Sequence, residues 1–391
     1  MKHSYILRTA LVLVLLIPAL ISKAQQNEDL LNLLVKKNVL SQTEADSIRS
    51  DQAIKEQAKK DKEAKSALTG VGFGKYLRIG GVLQERYQGF EQSTKFNSFD
   101  LHRARLIVQG NVSDDWSYYT QTELGGASVK LVDAYTTYKI ADYLKFSAGQ
   151  FKIPFSLESL TSDPALEFID RSQVVEALAG RSTDVISTTG VGTGAAPGNQ
   201  QGRDIGISIG GNFFKVNDNY ILDYTFGVFN GAGYDVTGDN NSRKDIGGRL
   251  AIHPIVNLTI GGDFYNGVAY YGNPAKNQKR NRGGFDARYV IGGLSVQAEY
   301  DKGTDGAIKR DGWFGQAAYF VWPKKLQLAA KYDTYDPNKA IGTDRANIYT
   351  GGINYFFNNW AKFTIDYLDR HEEATTQIKN NILEAQLQLT F

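Results

Sequence analysis

The chain has no cysteine among its 391 residues. That removes a lipid anchor, a disulfide framework and all thiolate chemistry together. Long apolar runs are missing too: beyond the first 24 residues none reaches the roughly 18 that a helical span requires, and mean hydropathy is −0.35. A helical membrane protein is excluded. Charge of one sign is also lacking, with 44 Lys and Arg against 42 Asp and Glu for a net of +2, so no overall field selects nucleic acid. The histidines, His3, His102, His253 and His371, are scattered without metal spacing.

What is abundant points to sheet. Against 8 Pro stand 22 Tyr, 20 Phe and 40 Gly; aromatics favour strands, and Gly marks tight turns and crowded strand positions. Residues 1–24 read as a secretory signal: basic Lys2 and Arg8, an apolar core from Ala10 to Ile21, then Ser22-Lys23-Ala24 before cleavage at Gln25. Residues 25–70 are expected to be a polar helical segment in the periplasm, with Leu30, Leu33, Leu34, Ile48 and Ile54 among Lys, Glu and Gln. It serves either as a short coiled coil or tether, or as a solvated linker. Gly70, Gly72 and Gly74 form no dinucleotide motif and mark the bend into the next domain.

From Lys75 the period switches to two. Leu77, Ile79 and Leu83 alternate with Arg78, Gln84 and Arg86, and Leu294, Val296, Ala298 and Tyr300 alternate with Ser295, Gln297 and Glu299. Such strands have one apolar and one polar face, which suits a sandwich or a membrane barrel equally. An amphipathic last strand, Leu383, Ala385, Leu387, Leu389 and Phe391 alternating with Glu384, Gln386, Gln388 and Thr390, favours the barrel, as do connection lengths and aromatic placement. About sixteen strands can be marked between 75 and 391. Tight connections such as Ala141-Asp142 and Trp322-Pro323-Lys324 alternate with longer ones such as Gly89 to Asn97 and Gly267 to Arg282. Aromatics including Tyr143, Trp322 and Trp360 gather near strand ends, as interfacial girdles do. The expected fold is all-β, a transmembrane antiparallel barrel over residues 71–391, with short turns periplasmic.

One connection is out of scale, running from Lys152 to Gly202. It carries Ile153-Pro154-Phe155, a short helix around Asp163-Pro164-Ala165-Leu166-Glu167, and a Gly-rich return. Pro154, Phe155 and Leu166 to Phe168 are apolar enough to require burial, so an inward fold is preferred over an external loop.

Four segments carry a family resemblance: Phe99-Asp100-Leu101-His102-Arg103-Ala104-Arg105-Leu106, Asp115-Trp116-Ser117-Tyr118, Val129-Lys130-Leu131-Val132-Asp133-Ala134-Tyr135, and Gly149-Gln150-Phe151-Lys152-Ile153-Pro154-Phe155-Ser156-Leu157-Glu158. With Glu167-Phe168-Ile169-Asp170-Arg171 they resemble the phosphate-selective porin O and P family, specifically over about 75–175 and only in pattern thereafter. The resemblance implies an outer-membrane diffusion channel, usually trimeric, whose third external loop narrows the lumen and whose selective members bind anions on lumenal Arg and Lys. Arg103, Arg105 and Lys152 match the family motif. A terminal Phe391 on an amphipathic last strand resembles the signal read by the barrel assembly machinery.

Lumenal parity places Arg78, Arg86, Arg103 and Arg105 near one another on the first two strands, and Arg249 and Arg288 further round. With Lys152 and Arg171 they are the candidate pore-lining, anion-binding cations, because guanidinium holds phosphate bidentately and stays charged. Pro154, Phe155, Glu158 and Glu167 are the candidate constriction-loop residues. Asp133, Asp223, Asp286, Glu299, Asp333, Asp366 and Glu384 face the same lumen, so the alternative is that these arginines brace the wall through carboxylates. Lys276, Lys279, Arg280 and Arg282 are expected in an external loop, solvated or against lipopolysaccharide phosphate. Gly206-Ile207-Ser208-Ile209-Gly210 matches a nucleophile elbow but lies inside an alternating strand, so no enzyme is expected. Nor is a metal or cofactor, although Asp235, Asp239, Asn240 and Asn241 offer oxygen donors in one loop. The expected function is a passive porin for small hydrophilic solutes, general or mildly anion-preferring. The alternatives are a structural barrel anchored or trimerised through its N-terminal helix and, third, a barrel hydrolase.

Overall fold

The computed structural model describes residue 37 and residues 76–92, 94–126, 128–180, 202–216, 219–233, 238–272, 275–373 and 378–391. The chain divides into two compact units, Met1–Lys59 and Lys60–Phe391. Of the first, only the exposed turn residue Lys37 is described. The signal and the polar helical segment expected from the sequence lie otherwise outside the described residues.

Sixteen antiparallel strands close into a barrel. In chain order β1 to β8 are Arg78–Phe90, Ser98–Asn111, Trp116–Glu123, Lys130–Ala141, Leu144–Lys152, Arg203–Val216, Asn219–Phe229 and Asp245–Ile252. β9 to β16 follow as Leu258–Gly272, Ala275–Ile291, Leu294–Asp305, Ile308–Trp322, Leu326–Asp336, Ala346–Phe356, Ala361–Glu372 and Ile382–Thr390. Each strand pairs with its sequence neighbours, and β1 closes on β16 with Val82 opposite Thr390 and Phe90 opposite Ile382. Phe391 finishes the seam: its carbonyl accepts from Gly81 N at 2.8 Å and its own N donates to Gly81 O at 3.1 Å. Among the described strands no edge is left open, as a hydrocarbon surround demands.

The faces are inverted relative to a soluble protein. On β16, Leu383, Leu387 and Leu389 are exposed while Glu384, Gln386 and Gln388 are buried. On β11, Val296 and Tyr300 point outward while Gln297, Glu299 and Asp301 point in. Outward apolar side chains form a lipid-facing surface, and exposed Trp116, Tyr143, Trp322 and Trp360 ring its short-turn end. No described helix is long and apolar enough to cross a membrane; the chain crosses with strands.

Two expectations need correction. The stretch from Gly267 to Arg282 is not a loop, because β9 and β10 run on to Gly272 and Ala275 in continuous register. The alternation persists there because Arg280 and Arg282 turn inward onto Asp305, at 3.3 and 3.0 Å, and are almost completely buried. They are therefore not surface cations for lipopolysaccharide. The other correction concerns the first two strands, where Arg78 stands opposite Gln109 and Arg86 opposite Asp100. Eight residues along one strand place these two about 26 Å apart, so the four arginines form no continuous ladder.

Candidate functional site: the lumen and its inward loop

Residues 153–202 join β5 to β6, and those described, 153–180 and 202, lie inside the barrel. Among its described residues the loop carries the short helices α1 at Leu157–Leu160 and α2 at Gln173–Val175, the second running on into a π-helical turn at Glu176–Gly180, with a Pro-initiated turn Asp163–Ala165 between them. Ser156 caps α1, its hydroxyl accepting from Ser159 N at 3.0 Å. Phe155, Val174, Val175 and Leu178 pack with Phe151, Phe229, Tyr265 and Phe314 of the wall. Phe168 packs with Ala318 and Ala329 on the far side, so the loop bridges the lumen. Each buried side chain of this size stabilises the inward position by about 1.5–3 kcal/mol.

Polar ties then fix the loop's height and register. Wall carboxylates accept from its backbone: Asp263 from Ser156 N at 3.0 Å, Asp366 from Ile169 N at 2.7 Å and Asp333 from Gln173 N at 2.6 Å. Wall cations donate to its carbonyls, Lys362 to Leu166 at 2.8 Å and Lys331 to Asp170 at 3.0 Å. Several lumenal charges are thus spent holding the loop rather than waiting for solute.

The candidate cations can now be placed. Asp163 of the loop is the hub of three: Arg105 bonds it directly, Arg171 at 2.5 Å and Arg103 at 3.4 Å. Burial opposes ionisation of Asp163, but the guanidiniums of Arg103, Arg171 and Arg105 outweigh it and hold the carboxyl well below the usual range. Arg105 also takes Glu123 at 2.8 Å, and Arg103 donates to Gln84 at 2.8 Å. Arg171 is a loop residue, not a wall residue, and also donates to Thr161 O at 2.8 Å. Lys152 donates to the carbonyls of Ser159 and Thr161, at 2.5 and 3.1 Å, bracing the loop's root. Arg86 bonds Asp100 at 2.7 Å with Asp170 and Glu384 at 3.3 and 3.5 Å. Arg249 joins Asp263 and Asp286, and Arg288 meets Glu167 at 2.9 Å. Arg78 stands apart at the start of β1, its Nε buried without a hydrogen-bond partner among the described residues.

The loop acids are committed as well. Glu158 accepts from Ser172 N and Oγ at 2.9 and 2.7 Å, and Glu167 from Ser295 and Gln316 at 2.8 and 3.1 Å. Pro154 and Phe155 are buried where the loop enters the lumen.

Sequence reading missed Asp163 as the hub and Arg203, which pairs with Asp133 at 2.9 Å. It also missed Asp305, ringed by Arg280, Arg282 and Arg310 at 3.3, 3.0 and 3.1 Å. A carboxylate heading a Pro-initiated turn in a loop bound for an arginine-rich lumen was the available clue to Asp163; the pair of Arg203 and Asp133 joins β6 to β4 and carried none, while Asp305 meets its arginines across neighbouring hairpins whose full length was not read. Ser208 of the elbow-like pentapeptide sits within β6, and no described group of three or more His, Asp and Glu is arranged to hold a metal.

Between the loop and the short-turn half of β2 to β7 a cavity of about 620 Å³ stays open, lined by Arg105, Asp133, Lys145, Lys152, Asp163, Arg203 and Asp223 with Tyr119, Tyr135 and Phe151. A closed membrane barrel, polar within and crossed by an anchored third loop, defines a diffusion channel. Comparison with known proteins agrees. The family model for phosphate-selective porin O and P matches residues 78–391, and the chain belongs to that family. Its fold is similar to the anion-selective porin from Comamonas acidovorans, at 15% identity and TM-score 0.61 over 81% of this chain and 99% of that one. It is also similar to the outer-membrane channel DcaP of Acinetobacter baumannii, at 12% identity and TM-score 0.57 over 83% and 100%. The trimer form of OmpT from Vibrio cholerae gives 12% and 0.55 over 81% and 99%. No curated protein matches significantly. The chain is a passive porin of the outer membrane.

Proposed function

We propose that this porin passes small hydrophilic solutes generally, with at most a mild preference for anions, and that phosphate is not its dedicated solute. The observation that carries this reading is Asp163, which neutralises part of the Arg103, Arg105 and Arg171 cluster that would otherwise present an anion ladder. A dedicated phosphate site needs guanidinium donors left open for bidentate contact, and the donors here already hold carboxylates and carbonyls. The short-turn end faces the periplasm in this reading, and Phe391 at the seam is the handle for assembly. Single-channel recording in planar bilayers tests it: ohmic steps with a reversal potential close to zero in a KCl gradient are expected. Absence of current discards the pore, and micromolar phosphate block discards the general selectivity.

The barrel also works as an oligomer, most simply a trimer. Glu85 supports this, because it faces outward between Leu101 and Leu387, where a carboxylate in lipid is disfavoured and a neighbouring copy removes the exposure. Chemical cross-linking in membranes checks the assembly, with Glu85→Leu giving the sensitivity of that face.

A further inference from the structure

We propose that the cavity beneath the loop is a binding site for a neutral, ring-containing polyol, most simply a saccharide, rather than a space that every small solute crosses indifferently. The inference rests on the porin reading and names a solute class for its lumen. Two features of the lining carry it.

The first is aromatic. Tyr119 on β3 and Tyr135 on β4 are direct cross-strand partners whose rings stack, with centroids 5.5 Å apart and planes 27° from parallel. Phe151 continues the row edge-on to Tyr135 at 5.7 Å, and Phe229 follows at 5.6 Å. Phe151 and Phe229 are buried against the loop, whereas both tyrosines stay partly open and line the cavity. Lumenal positions of a porin are ordinarily polar, so an aromatic pair here calls for a reason. The electron-rich face of an aromatic ring attracts weakly polarised C–H groups, which the flat face of a pyranose presents and a hydrated inorganic anion does not.

The second is a polar row beside those rings. Arg105, Gln121, Asp133 and Arg203 of the lining follow one another across β2, β3, β4 and β6, and Glu123 of β3 pairs with Arg105 at the row's end. With its amide set to satisfy both ends, Gln121 donates to the Tyr119 hydroxyl and to Asp133, at 3.1 and 3.0 Å, and accepts from Arg105 at 3.2 Å. Arg105 is met by Glu123 at 2.8 Å and Arg203 by Asp133 at 2.9 Å, so charge alternates along the row and nearly cancels. An anion would meet a carboxylate beside every guanidinium. Vicinal hydroxyls, each both donor and acceptor, can use the two halves of such a pair together. At about 620 Å³ the cavity lies within the usual range for small-molecule sites.

Isothermal titration of the purified full-length protein in detergent with maltotriose, with mannitol and inorganic phosphate as comparison probes, tests the site. Parallel bilayer recordings follow ion current. Maltotriose is expected to bind and to reduce KCl current in a saturable way, while mannitol, which has no ring, does neither. Tyr119→Ala with Tyr135→Ala should raise the half-saturating concentration about tenfold, and Tyr119→Phe with Tyr135→Phe, which keep the rings, should restore most of it. Current through the alanine variant in plain KCl shows that its barrel has formed. No heat of maltotriose binding, equal effects of maltotriose and mannitol, or phosphate binding in place of sugar would each overturn the proposal. Binding without any ion current leaves the site standing and removes the pore instead.

Discussion

Asp163→Asn separates the lumenal charge pattern from the barrel that carries it. The carboxylate holds three guanidiniums, two from β2 and one from the loop itself, and lines the open cavity. Neutralising it leaves Arg103, Arg105 and Arg171 facing one another, with Glu123 still paired to Arg105 and amide and carbonyl acceptors on the other two. Breaking a buried ionic cluster from one side costs about 3–5 kcal/mol of local stability. The strand ladder does not depend on Asp163, so this cost falls on the loop. For a permeating ion passing about 6 Å away, one added positive charge in water is worth roughly 0.7 kcal/mol, and screening at about 0.1 M salt reduces that to about 0.4 kcal/mol. The anion is favoured and the cation disfavoured by the same amount, so the permeability ratio should move toward anions by roughly three- to fourfold. Reversal potentials in a KCl gradient, wild type against variant in the same bilayers, measure this directly. An unchanged reversal potential together with unchanged conductance would refute both the hub and the field assigned to it.

Protonation should perturb the same hub only at very low pH. The folded carboxyl of Asp163 is depressed, so its stabilisation is complete above the ordinary Asp range and is lost only as pH falls through the lower folded value. Conductance and selectivity assignable to the loop should therefore hold from pH 7 down to about 4; a transition near the ordinary Asp value would contradict the pairing. Arg86→Ala should shift the reversal potential opposite to Asp163→Asn, toward cations, because Asp100, Asp170 and Glu384 lose a shared partner. Gly149→Ala should cost about 2–3 kcal/mol, since φ there is +133° and an added Cβ would run into the Ala134 carbonyl on β4. A lowered urea midpoint in unheated gel-shift assays is the expected result, and an unchanged midpoint would contradict the crowding.

The barrel was legible in the sequence because a membrane strand must expose one parity and hide the other. Leu383 to Leu389 against Glu384 to Gln388 states that rule residue by residue. The inward loop was legible for a related reason: Phe155 and Phe168 had no lipid-facing strand to sit on, so water had to be excluded from them elsewhere. Length was misjudged at β9 and β10, where Lys276 to Arg282 look like loop composition. Their alternation is paid back only by Asp305, which lies on β11 across the hairpin.

By itself the sequence determined strand number, face polarity and the loop's need for burial, since each depends on period and on neighbours near in the chain. Which carboxylate meets which guanidinium was decided only by the registers of β4, β5 and β6, which set Asp133 against Arg203, and by the loop's path, which lowers Asp163 between Arg103 and Arg105. Charge neutralisation falls off over a few ångströms, and at that scale adjacency belongs to the folded wall rather than to the order of residues.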